Sequence, residues 1–176
     1  VPCETLVVGE IQSGLLHSYE EVVAISKHRS DVIVVGSFCT AESCTGGSIA
    51  KMITAIPGCS AIFKGSVVSY ATEVKENILK VNHADVERHT VVSREVAEQM
   101  AVGAREIMNV DYALATTGIA GPDGGSEENP VGTVWIALAT AKGVISQRYN
   151  FGKDRNNNIE RSCITALEML RQEMLN

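Results

Sequence analysis

Apolar and polar positions alternate between two periods along this chain. Within residues 31–39 the run Val32-Ile33-Val34-Val35 is continuous and β-branched, which predicts a buried central strand. Residues 48–56 carry Ile49, Met52, Ile53 and Ile56 at helical spacing, and Pro57-Gly58 stops them. Apolar stretches at 61–63 and 66–70 predict a second strand region, followed by a helix from Ala71 to about Val81-Asn82. Residues 86–89 read as a short turn or helix. Ser93, with Val96, Met100 and Ala104, marks a capped amphipathic helix. Strands follow at 111–116, 131–140 and 144–151, the last two joined by a turn at Lys142-Gly143. Residues 156–175 form a final amphipathic helix. Strands that alternate with helices and then end on a β-β step predict an α/β fold. We expect a three-layer α/β/α sandwich with a mostly parallel mixed sheet of about five strands, one of them antiparallel.

Residues 1–30 read differently. Ser18 and Glu21 form a capping-box pattern that opens a helix to about Lys27. We expect 1–30 to be a helical segment with no assigned role and 31–176 to be the functional domain.

Composition narrows the functions available. A net charge of −6 argues against a broad nucleic-acid surface, which needs clustered Lys and Arg. No apolar run reaches the roughly 18 residues of a membrane span. The first residues lack the basic start and apolar core of a secretory signal. The five cysteines are odd in number and form no Cys-x-x-Cys pair, so neither a zinc site nor a redox motif is expected. Free thiols fit a cytoplasmic protein, with most of them acting as small buried hydrophobes.

The chemistry concentrates in Thr40-Ala41-Glu42-Ser43-Cys44-Thr45-Gly46-Gly47. A strand entering a helix through such a segment leaves free N–H groups at the turn. The turn suits either a nucleophile with its oxyanion donors or a phosphate cradle. A serine there is otherwise only a helix cap. The four histidines are poorly placed to activate it: His17 and His28 lie in the N-terminal segment, and His83 and His89 lie in a polar stretch. Lysine is the alternative base for a serine. Lys75 follows the second strand region closely, which puts Lys75 and Tyr70 at the same sheet edge as Ser43. Taken alone, however, Lys75 reads as an exposed helical lysine. Cys44 is a rival nucleophile, because a helix N-terminus lowers a thiol pKa. Neighbouring residues in a turn point apart, so only one of Ser43 and Cys44 is expected to face a pocket.

A second loop, Thr117-Gly118-Ile119-Ala120-Gly121-Pro122-Asp123-Gly124-Gly125-Ser126, holds four glycines at the carboxyl end of a strand. Ligands bind there in open α/β sheets, and such glycines allow close backbone approach. Glu127-Glu128 is expected to face solvent. Arg155 and Arg161 read as surface residues or as a guanidinium fork for phosphate. Phe38, Phe63 and Trp135 are read as core.

The 40–47 segment, Gly65 to Tyr70 with Lys75, and the Thr117–Gly125 loop resemble the C-terminal domain of the CinA (competence/damage-inducible) family. So do Pro130-Val131-Gly132-Thr133-Val134-Trp135 and the stretch from Gly152 to Arg155. The resemblance covers roughly residues 40–175. Stand-alone members of the family include nicotinamide mononucleotide amidohydrolases. The resemblance implies a three-layer α/β/α fold and a homodimer or larger homo-oligomer. It also implies a metal-independent serine amidase, needing no cofactor, that deamidates nicotinamide mononucleotide in pyridine nucleotide salvage. Ser43 would be the nucleophile, with Lys75 and Tyr70 as its activating partners. Backbone around Thr45, Gly46 and Gly47 would hold the oxyanion. Thr117, Gly118, Ala120 and Gly121, with Arg155 or Arg161, would hold the nucleotide. The alternative is a non-catalytic nucleotide-binding or partner module. DNA processing is disfavoured by the acidic balance.

Overall fold

The computed structural model describes residues 36–174. The expected N-terminal helix and the Val32–Val35 run lie outside the described residues. Five strands form one sheet: β1 (Phe38–Glu42), β2 (Phe63–Val68), β3 (Tyr112–Gly118), β4 (Thr133–Thr140) and β5 (Gly143–Asn150). Their spatial order is β2-β1-β3-β4-β5. β1 pairs parallel with β2 and with β3, whereas β4 runs antiparallel to β3 and to β5. β4 is therefore the one reversed strand, as the late β-β step predicts. Five α-helices, α1 (Ser48–Thr54), α2 (Thr72–Asn77), α3 (His83–His89), α4 (Arg94–Met108) and α5 (Arg155–Met174), and a short 3-10 helix at Cys59–Ala61 complete the described chain.

The strand alternation sorts side chains by size. Cys39, Ala41, Ala113, Ala115, Ala137 and Ala139 share one buried cluster with α4 residues Ala97, Met100, Ala101 and Ala104. Phe38, Leu114, Val134, Ile136 and Leu138 fall in a second cluster with α1 and α5 residues Ile49, Ile53, Cys163, Ala166 and Leu170. This is the period-two rule applied to a sheet covered on both faces. Small residues on one face let α4 pack closely. At Gly103 of α4, an added Cβ would lie 1.9 Å from the Leu79 carbonyl oxygen.

Three element boundaries differ from expectation and bear on the site; one is the end of β3, which runs on through Thr117 and Gly118, residues expected in the loop. Thr40, Ala41 and Glu42 belong to the strand and not to the turn. β1 is central, so these residues pair with Ser66–Val68 on one side and Leu114–Thr116 on the other. Ladder pairing overrides their polar character, and all three are fully buried. The helix expected to run to 82 instead ends at Asn77. Lys80 adopts φ 60° and breaks it, and the Asn82 side chain caps a separate α3 by accepting from the Ala84 amide. Ser93 caps α4 as predicted, accepting from the Val96 amide.

α1 covers one sheet face and α4 the other, so the two connections around β1 run on opposite sides. The strand order reverses between β1 and β3, and that is where a crevice opens at the carboxyl ends of an α/β sheet. Among the described residues, no helix is long and apolar enough to cross a membrane.

Candidate active site

The end of β1 is held on both sides. Ser43 N–H donates to the Thr116 carbonyl (3.0 Å), and Ser69 N–H donates to the Glu42 carbonyl (2.8 Å). Ser43 is thus the first residue beyond the strand, fixed between β2 and β3. Only a few residues separate the end of β2 from α2, so that short helix comes back over the same edge.

This geometry buries Lys75, which is 2% exposed. Its Nζ lies 3.0 Å from Ser43 Oγ and 3.3 Å from the Tyr70 carbonyl oxygen, and it also bonds the Ser69 carbonyl. Among the described residues, no carboxylate bonds it. Burial pushes the Lys75 pKa below its ordinary 10.5, and the neighbouring Cys44 only weakly opposes this. The reading of Lys75 as an exposed surface lysine is therefore wrong, because the turn after β2 folds the helix inward.

The cleft at this point encloses about 530 Å³ including its open mouth. Its lining includes Ser43, Lys75, Tyr70, Thr117, Gly118, Ala120 and Arg155. Seven of the residues singled out in the sequence therefore converge. Cys44 lines the cleft as well, so the expectation that only one of the pair faces it does not hold. The thiol is nonetheless deeply buried, and desolvation pushes its pKa up to about 12. Hydrogen bonding to its own backbone and to Thr116 only partly offsets this. The expected lowering by a helix N-terminus is overridden. Cys39, Cys44 and Cys163 are free and buried, which fits their reading as small hydrophobes.

Other candidates stand elsewhere. Thr45 is buried, and its hydroxyl bonds the Glu42 carboxylate (2.7 Å) and the Thr116 hydroxyl (2.8 Å). Gly46 N–H donates to the Ser43 carbonyl (3.1 Å), and Gly47 N–H donates to Glu42 Oε2 (3.0 Å). The two glycine amides expected to hold an oxyanion are therefore engaged inside the turn. Their role is conformational, at φ 61° and 94°, where a side chain is strained. Gly121 backs the second loop, and its carbonyl accepts from Arg155 Nη1 (2.7 Å). Arg161 does not line the cleft. It donates to the Phe151 carbonyl (3.4 Å) and stacks over the Phe151 ring at 5.0 Å. Six residues along a helix places it about 120° around the axis from Arg155. Tyr70 is 66% exposed at the mouth and reaches Lys75 through its carbonyl and not its phenol.

Sequence reasoning missed Thr72, Val91 and Val92, which complete the lining. Val91 is tied in place because its carbonyl accepts from the Thr117 hydroxyl (2.7 Å). Thr90, at φ 66°, turns the chain so that Val92 is buried. Nothing in the local pattern marks these two valines. Asn158, 1% exposed, was also missed. Its amide donates to the Ala120 carbonyl (2.9 Å) and the Gly152 carbonyl (3.1 Å), locking the second loop to α5. His83 is exposed and bonds Glu76 (2.8 Å), away from the cleft. Among the described residues, no group of three His, Cys, Asp or Glu side chains comes together as a metal ligand set.

Comparison with known proteins gives this geometry a family. The model of the CinA C-terminal domain matches residues 21–174, so the likeness reaches further upstream than the motifs reveal. A CinA-like protein of Flavobacterium psychrophilum is 49% identical over 136 residues, 77% of this chain and 32% of that protein. The chain thus spans about a third of the length of the CinA-like relatives that it matches. The nicotinamide-nucleotide amidohydrolase PncC of Escherichia coli is 43% identical over 164 residues, 93% of this chain and 96% of that protein. The crystal structure of a competence/damage-inducible protein from Agrobacterium tumefaciens superposes with a TM-score of 0.77. It is 39% identical and covers 80% of this chain and 86% of its own. The mixed five-stranded sheet and the match over 21–174 agree: the chain belongs to the CinA C-terminal domain family.

Proposed function

We propose that this chain hydrolyses the carboxamide of nicotinamide mononucleotide to nicotinic acid mononucleotide and ammonia, as a step of pyridine nucleotide salvage. Ser43 is the nucleophile and Lys75 the base. The observation that carries this reading is the buried Lys75 amine 3.0 Å from Ser43 Oγ. The similarity to an amidohydrolase of almost the same length supports the choice of substrate.

The chemistry follows from the lysine's surroundings. A neutral amine has two N–H donors and one lone pair. The Ser69 and Tyr70 carbonyls take the two donors, which turns the lone pair toward Ser43 Oγ. The Ser43 proton moves to Nζ as Oγ attacks the carboxamide carbon. The carbonyl π electrons move onto oxygen. Main-chain amides at the start of the turn after Ser43 stabilise that charge. The C–N bond then breaks, and the proton on Nζ passes to the leaving nitrogen, giving ammonia and an acyl-serine. Water attacks the acyl carbon while giving its proton to Nζ. Collapse returns that proton to Ser43 Oγ and releases the acid.

Val91, Val92 and the exposed Tyr70 ring wall the mouth for a flat heteroaromatic ring. Gly118, Ala120 and Arg155 receive the ribose phosphate. The test is ammonia release from nicotinamide mononucleotide, nicotinamide riboside and free nicotinamide. We expect turnover of the mononucleotide and none by Ser43→Ala, which still binds it. Binding without turnover by the unsubstituted chain would instead identify a nucleotide-binding module.

A further inference from the structure

Glu42 immediately precedes Ser43, and none of its surface is exposed. Its carboxylate gathers six donors from four parts of the chain. Oε2 accepts from the Thr45 hydroxyl (2.7 Å), the Gly47 amide (3.0 Å) and the Ile49 amide (3.1 Å). Oε1 accepts from the Ala50 amide (2.8 Å) and, at longer range, from the hydroxyls of Thr40 (3.3 Å) and Ser66 (3.4 Å). One side chain therefore ties β1, the Ser43 turn, the start of α1 and the edge strand that leads to Tyr70 and Lys75.

A polar group in this setting is costly unless it is fully bonded, and a carboxylate is acceptor-only, as the three amide partners require. Core filling does not account for it. Phe38 and Leu114 on the same sheet face show that apolar side chains fill this layer. What the carboxylate adds is a fixed turn. Gly46 and Gly47 give that turn its positive φ values, and such glycines are free to take others. The bonds from Thr45 and Gly47 select one conformation.

We propose that Glu42 is a positioning residue that holds Ser43 Oγ at the Lys75 amine. The proposal rests on the Ser–Lys reading given above. Glu42 does not touch the substrate. It acts through the turn, where a displacement of about 1 Å at the nucleophile costs about 10²-fold in rate.

Glu42→Gln tests it. The variant keeps the shape but exchanges one oxygen for NH₂. On the Oε1 side the hydroxyls of Thr40 and Ser66 rotate to accept, but the Ala50 amide then faces another donor. With NH₂ on the Oε2 side it is the Gly47 and Ile49 amides that face a donor, so either placement breaks part of the tie between the turn and α1 without a cavity being created. We expect cooperative unfolding, KM for nicotinamide mononucleotide within about threefold of the parent and kcat about 10²-fold lower. A crystal structure of the variant should show Ser43 Oγ and Lys75 Nζ separated beyond hydrogen-bond distance. Unchanged kcat with the pair still bonded overturns the proposal. A kcat that falls only in proportion to the folded fraction also overturns it. If Glu42→Gln fails to fold, Thr45→Val keeps the carboxylate and removes its shortest bond. There we expect about a tenfold loss of kcat at constant KM, and unchanged kcat overturns the proposal. Ser43→Ala, measured alongside, separates the two failures. Activity in that variant removes the Ser–Lys reading and this proposal with it. An inactive Ser43→Ala beside a fully active Glu42→Gln removes the role of Glu42 alone.

Discussion

The Lys75 amine lies 3.0 Å from the Ser43 hydroxyl and takes its other two partners from the main-chain carbonyls of Ser69 and Tyr70. Among the described residues no carboxylate bonds it, and burial sets the direction of its pKa.

That relationship gives a pH dependence. The amine acts when neutral, so kcat/KM rises with pH as Lys75 loses its proton, with a midpoint below the ordinary 10.5. Stability moves the same way. The folded-state pKa is lowered, so between it and the unfolded value the unfolded chain holds the extra proton and stability rises with pH. Below the folded pKa the penalty for burying the charge is fully present. Denaturant titrations from neutral to alkaline pH should show this rise in the parent chain and a flatter profile in Lys75→Met. Lys75→Arg stays protonated at every working pH and should lose about 10²–10⁴-fold in rate.

Cys44 provides the second test. Its thiol is held up to about 12 by burial, so it is protonated at neutral pH and a poor nucleophile. Cys44→Ala should keep ammonia release within about threefold of the parent, and alkylation of Cys44 by iodoacetamide should be slow. A Cys44→Ala variant as inactive as Ser43→Ala would contradict this.

The two arginines separate cleanly. Arg155 lines the cleft, whereas Arg161 stacks on Phe151. Arg155→Ala should raise KM for the mononucleotide by about 10–100-fold, the loss of a charge-assisted contact, and leave KM for a substrate without phosphate unchanged. Arg161→Ala should leave both constants unchanged and slightly lower the unfolding midpoint.

Gly103 tests the packing that supports the site. A Cβ there meets the backbone of Leu79, which cannot rotate away. Gly103→Ala should cost about 1–3 kcal/mol of stability, read from denaturant unfolding. Leu79 lies four residues past Lys75, so kcat should fall with it.

These features were not equally legible in the sequence. The Ser43–Lys75 pairing was accessible because a strand end and the helix after it share one sheet edge, and few residues separate β2 from α2. The Gly-rich loop after β3 announced itself by the density of its glycines. Lys75 burial was hidden, because α2 ends early at Asn77 and tucks inward, and no local pattern marks that. Glu42 was hidden for a related reason. Its six partners include the Ser66 hydroxyl, 24 residues away, and that partner is fixed only once β1 lies beside β2. Val91 and Val92 look like any apolar pair until the Thr117 hydroxyl ties their loop to β3. Arg155 and Arg161 looked equivalent until the helix phase placed them on different sides.

The central claim is that the acyl group resides on Ser43, and mass spectrometry of the chain quenched during turnover of nicotinamide mononucleotide tests it directly. The account predicts a nicotinoyl nucleotide adduct on the peptide containing Ser43, mapped to that residue and absent from Ser43→Ala. An adduct mapped to Cys44, or parent-level ammonia release by Ser43→Ala, would contradict it.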